Sequence, residues 1–199
     1  AIALAVKKGA FNRAFKKPVK TAPDLADQVE QLLAKRILDQ LGMVKRAGDL
    51  ILGFEQVREE VRKAAPAFLV EASDGSADQR SKVLALVRGL HTPELDETGK
   101  PAGNLELPPV VGCFLASELG MALGRDRVIH ACVKYGRIAH AWRGELERLS
   151  GFRHVWLPGW QPSSATGQKF SDDTQARVSG GNSPGTPIST ELDATEVSE

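Results

Sequence analysis

From Leu25 to Val44 the apolar positions recur every three or four residues, at Leu25, Val29, Leu32, Leu33, Ile37, Leu41 and Val44. That stripe predicts one long amphipathic helix, capped by Asp24 and stopped at Gly48 after a basic last turn. Upstream, residues 2–17 read as a helix broken at Gly9. Ile2, Val6 and Ala10 share one side, and Phe11 and Phe15 lie four apart, where helical side chains meet. Pro18 and Pro23 then punctuate the chain.

Beyond Gly48 short apolar runs alternate with helical ones. LILG (50–53) is a short strand, and 54–64 a helix presenting Phe54, Val57 and Val61. AFLVEA (67–72) has the continuous apolar character of a buried strand. Ser76 starts a helix over 77–90 with Val83, Leu84, Leu86, Val87 and Leu90 inward. PVVGCF (109–114) is a third strand, Ser117 caps a short helix ending at Gly124, and RVIHACVK (127–134) is a fourth strand. A closing helix over 138–152 puts Ile138, Trp142, Leu146 and Leu149 on one face. Strands alternating with helices over 24–157 predict an α/β fold, a three-layer α/β/α sandwich.

Two stretches fall outside that pattern. Residues 91–108, rich in Pro, Gly and acids, form a loop longer than most in compact domains. From Gly159 onward the chain is Ser, Thr, Gly, Pro and acid without a period, so 159–199 reads as a disordered acidic tail. Between the domain and the tail, Phe152, Trp156 and Trp160 are expected to pack back onto the domain, with a protein-binding segment as the alternative.

At 199 residues, 42% hydrophobic and 26% charged, the chain has room for one ordinary globular domain with appendages. No apolar run approaches the ~18 residues of a membrane span, and AIALAVKKGA is too short an apolar stretch for a signal peptide, so a cytoplasmic protein is expected. The first residue is not Met, and more chain is expected upstream. The net charge of +1 hides an uneven distribution. Residues 1–20 carry Lys7, Lys8, Arg13, Lys16, Lys17 and Lys20 and no acid, whereas 159–199 are acidic and the middle is nearly neutral. A basic opening is the electrostatic footprint of a polyanion partner.

Catalytic patterns are absent. There is no Walker loop, dinucleotide fingerprint or nucleophile elbow. His91, His130, His140 and His154 show no i, i+4 metal spacing, and Cys113 and Cys132 lack CxxC-type spacing. The cysteines read as small buried strand hydrophobes, and Glu59–Glu60 as an exposed helix face. A non-enzymatic protein with no metal or cofactor is expected.

Four marks, in order, carry a resemblance. They are Lys45-Arg46-Ala47-Gly48 before the first strand, Gly53 at the strand-to-helix turn, Asp74 and Lys82 in AFLVEASDGSADQRSK, and Ser117-Glu118-Leu119-Gly120 with Ala122 and Gly124. Over roughly 37–152 the chain resembles YlxQ, a bacterial member of the kink-turn-binding ribosomal-protein superfamily. The opening AVKKGAFNRAFKKPVK resembles the C-terminal end of a YlxR domain, as in fused YlxR–YlxQ proteins. The implied organisation is a YlxR-like basic remnant (1–20), a linker and helix start (21–36), the α/β/α domain (37–158, with the 91–108 loop) and the tail. The resemblance implies a mixed sheet in the order 1-4-2-3 with strand 4 antiparallel. Cys113 and Cys132, on strands 3 and 4 with strand 2 between, would then be too far apart to bond.

It also implies a bacterial RNA-binding protein linked to ribosome, RNA processing or translation. The RNA face would be the start of the helix after strand 1, namely Gly53, Phe54, Glu55, Gln56 and Arg58. The loop before strand 4, Gly124, Arg125, Asp126 and Arg127, would stand beside it. Lys45, Arg46, Arg80 and Lys82 could extend the surface, and Lys7, Lys8, Arg13, Lys16 and Lys17 would add attraction. Glu55 stands where the family has Asn, and Glu59 where it has Lys. Both place negative charge toward a phosphate backbone, which argues for a weaker or different structured RNA. A protein-interaction module that has lost its RNA face is the alternative.

Overall fold

The computed structural model describes residues 2–92 and 107–162. Most of the 91–108 loop and the tail beyond Pro162 therefore lie outside the described residues. Two short helices, α1 (Ile2–Lys7) and α2 (Ala10–Phe15), meet at Gly9 and lead into the long α3 (Leu25–Arg46). β1 (Leu50–Leu52), α4 (Phe54–Lys63), β2 (Phe68–Glu71) and α5 (Ala77–His91) follow, then β3 (Val110–Val111), α6 (Ala116–Leu123), β4 (His130–Val133) and α7 (Arg137–Ser150). The sheet order is β1-β4-β2-β3, with β4 antiparallel to β1 and β2, and β3 parallel to β2. This is the mixed sheet and three-layer sandwich implied above.

Alternation along the strands builds two cores. Phe68, Val70, Ala131 and Val133 face α3, α6 and α7, where Ile37, Leu41, Leu119, Trp142 and Leu146 are buried. Leu69, Cys132 and Val110 face α4 and α5, against Val57, Val61, Val83 and Val87. Trp142 anchors the first core. Its ring meets Phe68 edge-on at 5.2 Å, and its indole N–H donates to the Ile37 carbonyl at 3.0 Å, so a large buried ring leaves no polar atom unpaired. The segment after α7 runs along the outer edge of β3. The Val110 N–H donates to the Trp160 carbonyl and the Gly112 N–H to that of Val155, so this edge is covered. Trp156 stacks on Phe68, and Trp160 is buried beneath the Arg88 guanidinium. The aromatic segment is thus committed to the fold.

Several local expectations need correction. Leu32 is 66% exposed because it lies about 140° round the helix from Ile37. Leu90 is exposed because α5, about 22 Å long, outruns β2, about 13 Å long. Asp24 occupies the cap position of α3 but accepts from the Gln28 amide rather than from a backbone N–H. Ser117 lies inside α6, whose start is held instead by Glu118, accepting from the Leu115 N–H, and by Asp74. β3 and β4 are shorter than expected, so Cys113 lies past β3 and is half-buried. Cys113 packs on the α3 side of the sheet and Cys132 on the α4 side. Both are free thiols, pushed up to about 12 chiefly by burial. Among the described residues no helix is long and apolar enough to cross a membrane.

Candidate nucleic-acid interface

Because β4 runs against its neighbours, the C-terminal ends of β1, β2 and β3 and the N-terminal end of β4 share one end of the sheet. There α4, α5 and α6 begin, so the N-termini of three helices gather at that end. The turn from β1 into α4 is made at Gly53, at φ 100°, a conformation that disfavours any side chain. The Gly53 N–H donates to the His130 carbonyl at 2.9 Å, tying the start of α4 to β4.

The structure brings Gly53, Phe54, Glu55, Gln56 and Arg58 together, but it also engages them with one another. A Cβ on Gly53 would stand 2.5 Å from the Gln56 side-chain oxygen, so Gln56 folds back over the turn. Phe54 is half-buried against the His130 ring, with centroids 5.4 Å apart. The Arg58 guanidinium lies over the Phe54 ring, 5.1 Å from its centroid, and donates to both Glu55 oxygens at 3.1 and 3.2 Å. The entrance to α4 thus already holds two of the chain's own oxygen-bearing side chains.

The loop before β4 stands at the same end of the sheet. Gly124 closes α6, and Arg125 and Asp126 are exposed. Arg127 donates to Asp74 Oδ2 at 3.1 Å, while Asp74 Oδ1 accepts the Ala116 N–H at 2.7 Å. One carboxylate therefore fixes both the loop and the start of α6, which gives the Asp74 mark a structural meaning. Asp74→Ala should lower stability by about 1 kcal/mol, the usual loss for a helix-start acceptor. Urea denaturation checks this, and Asp74→Asn, which keeps an acceptor oxygen, should recover most of the loss.

Other candidate side chains are similarly occupied. Lys45 donates to the Leu123 carbonyl at the end of α6, a favourable place for a cation. Arg80 donates to the Ala72 and Ser73 carbonyls, and Lys82 pairs with Asp78 at 2.7 Å. Arg46 is exposed. Lys7, Lys8, Arg13, Lys16 and Lys17 are exposed on α1, α2 and the turns beside them, and none is in an ion pair among the described residues. α1 packs on α3, in the layer across the sheet from α4.

Three residues absent from the sequence-based set complete this end of the sheet. Glu71 and His130 face each other across β2 and β4 and are 1% and 3% exposed. His130 Nδ1 lies 2.7 Å from Glu71 Oε2, and Nε2 lies 3.3 Å from the Gln79 side-chain oxygen in the first turn of α5. Burial raises the Glu71 pKa, and the hydrogen bond and charge of His130 and the charge of Arg80 oppose that rise. The one local signal was a single acid and a single imidazole inside otherwise apolar strands.

No family model matches the chain, and no curated protein matches it. Solved structures similar at low identity include the following two. One is a protein with unknown function from Bacillus halodurans, at 21% identity and a TM-score of 0.44, over 56% of this chain and 96% of that one. Another is the Giardia lamblia 15.5kD RNA binding protein, at 18% identity and a TM-score of 0.40, over 59% and 89% of the two chains.

Proposed function

We propose that this protein is a non-enzymatic RNA-binding protein of the YlxR–YlxQ kind, acting with ribosomes, RNA processing or translation. The observation that carries this reading is the contrast between its two sets of cations. Around α4 and the loop before β4, Arg58, Arg80, Lys82 and Arg127 are engaged by the chain's own oxygens. On the N-terminal segment six exposed cations, Lys20 among them, are in no ion pair among the described residues and have no acid beside them in sequence. Such a segment attracts a polyanion through phosphate contacts and counterion release, without reading sequence. The α4 entrance would then select structured RNA, using Gln56 for a base edge and Arg58 for phosphate once Glu55 yields.

The carboxylate on Arg58 also favours a second reading, a protein-interaction module on the same fold. Crosslinking the protein in cells and sequencing the attached RNA separates the two. Enrichment of defined structured transcripts is expected. Background recovery of RNA, with a protein partner retained after nuclease treatment, would replace the first reading by the second.

A further inference from the structure

Beneath the α4 entrance lies a continuous line of contacts from a buried carboxylate to an exposed arginine. Glu71 meets His130, the His130 ring meets Phe54, and Phe54 carries the Arg58 guanidinium. His130 also accepts the Gly53 N–H through its carbonyl. It therefore touches both residues that open α4. We infer that His130 is a positioning residue for this entrance: the proton it shares with Glu71 holds Phe54 and Arg58 in place, and RNA affinity depends on that proton. The inference rests on the RNA-binding reading above.

The proton count follows from the partners. With the Gln79 oxygen at Nε2, the ring donates there. At Nδ1, either an imidazolium donates to a carboxylate or a carboxylic acid donates to a neutral ring. These two forms hold the same proton between two atoms 2.7 Å apart, and each leaves the pair neutral overall. Losing that proton leaves a buried anion, and the ring must then turn a lone pair either toward Glu71 or, with its remaining proton moved to Nδ1, toward the Gln79 oxygen. In either tautomer a lone pair meets an oxygen in a site with little solvent, so one of the two contacts that hold the ring is lost. Glu71 Oε1 accepts no hydrogen bond among the described residues, so no second donor steadies the anion.

The sign follows from the raised Glu71 pKa, for which burial is the largest cause. A carboxyl raised above its ordinary 4.5 contributes stability that is full below that value and is lost as pH rises through the folded one. Arg80 of α5 is the charged group acting on Glu71 besides His130, and Arg58 of α4, itself paired with the exposed Glu55, reaches the pair through Phe54. Cys132 shares the same face of β4, and its thiol, pushed up to about 12, stays neutral.

The test compares the full chain with Glu71→Gln, which mimics the protonated acid, binding one RNA hairpin between pH 5.5 and 8.5. The N-terminal segment is identical in the two proteins, so its contribution cancels. Wild-type affinity should fall at least about fivefold from pH 5.5 to 8.5, the lower end of ordinary coupling between linked groups. In Glu71→Gln the ratio of the two affinities should be near one. His91, His140 and His154 are present in both proteins and cancel. A free-protein measurement guards against a folding defect in the variant. In wild type, the Phe54 ring and Arg58 Nε–H resonances should shift with pH alongside the His130 ring. Parallel affinity profiles, or Phe54 and Arg58 signals indifferent to pH, would overturn the inference while salt-dependent RNA binding stood. Absence of RNA binding by wild type at low salt would overturn both.

Discussion

Changing Lys7, Lys8, Arg13, Lys16 and Lys17 together to glutamine should remove most of the salt-sensitive RNA affinity of this protein. Five phosphate contacts give a slope of log affinity against log salt of roughly −3.5 to −4.5. Over a fourfold rise from 50 to 200 mM salt, that slope predicts a loss of about 100- to 500-fold in wild type. The variant should start weaker and lose far less. The five residues are exposed, and α1 and α2 bury no side chain completely, so the substitutions should leave the domain fold intact. Filter binding across the salt series checks the slope, and thermal melting checks the fold. A slope unchanged by the substitutions would move the phosphate contacts elsewhere on the molecule. A flat wild-type dependence would argue against a polyanion partner altogether.

The reliance on the N-terminal segment comes from tertiary facts. The periodicity of Ile37, Leu41 and Val44, and the apolar runs around Leu69 and Cys132, are local patterns, so the helices and strands were legible residue by residue. The strand order is not local. It came with the resemblance, and the structure bears it out. Occupancy of the cations was not legible. Arg80 is held by carbonyls seven and eight residues back, and Lys45 by a carbonyl 78 residues along the chain. Arg127 is held by a carboxylate 53 residues away. Each reads in sequence as an exposed cation available to phosphate. The Glu71–His130 pair was hidden for the same reason, since it requires β2 and β4 to be neighbours.

The Ser117-Glu118-Leu119-Gly120 mark acquires its meaning at Gly120, and substitution there should produce the largest single-site loss of stability considered for this fold. A Cβ at this position would stand 2.6 and 2.7 Å from the carbonyl oxygens of Asp126 and Arg125, and 2.8 Å from the Asp126 carbonyl carbon. All three are backbone atoms, so no flexible side chain can give way. In an open helix, Gly→Ala would stabilise by about 1 kcal/mol. Here the overlap costs more, and a net loss of about 2 kcal/mol is expected, or roughly 4–8 °C in melting temperature. The strain has one outlet, displacement of residues 124–127 away from α6. That would separate Arg127 from Asp74 and loosen the acceptor on the Ala116 N–H. Gly120→Ala should therefore shift the amide resonances of Arg125, Asp126 and Arg127 and weaken binding of structured RNA. The salt slope should remain, because α1 and α2 pack on a different part of the molecule. A variant as stable as wild type, with the loop amides unmoved, would show that this loop is free to leave the helix. The loop before β4 would then lose its standing as a fixed side of the RNA face.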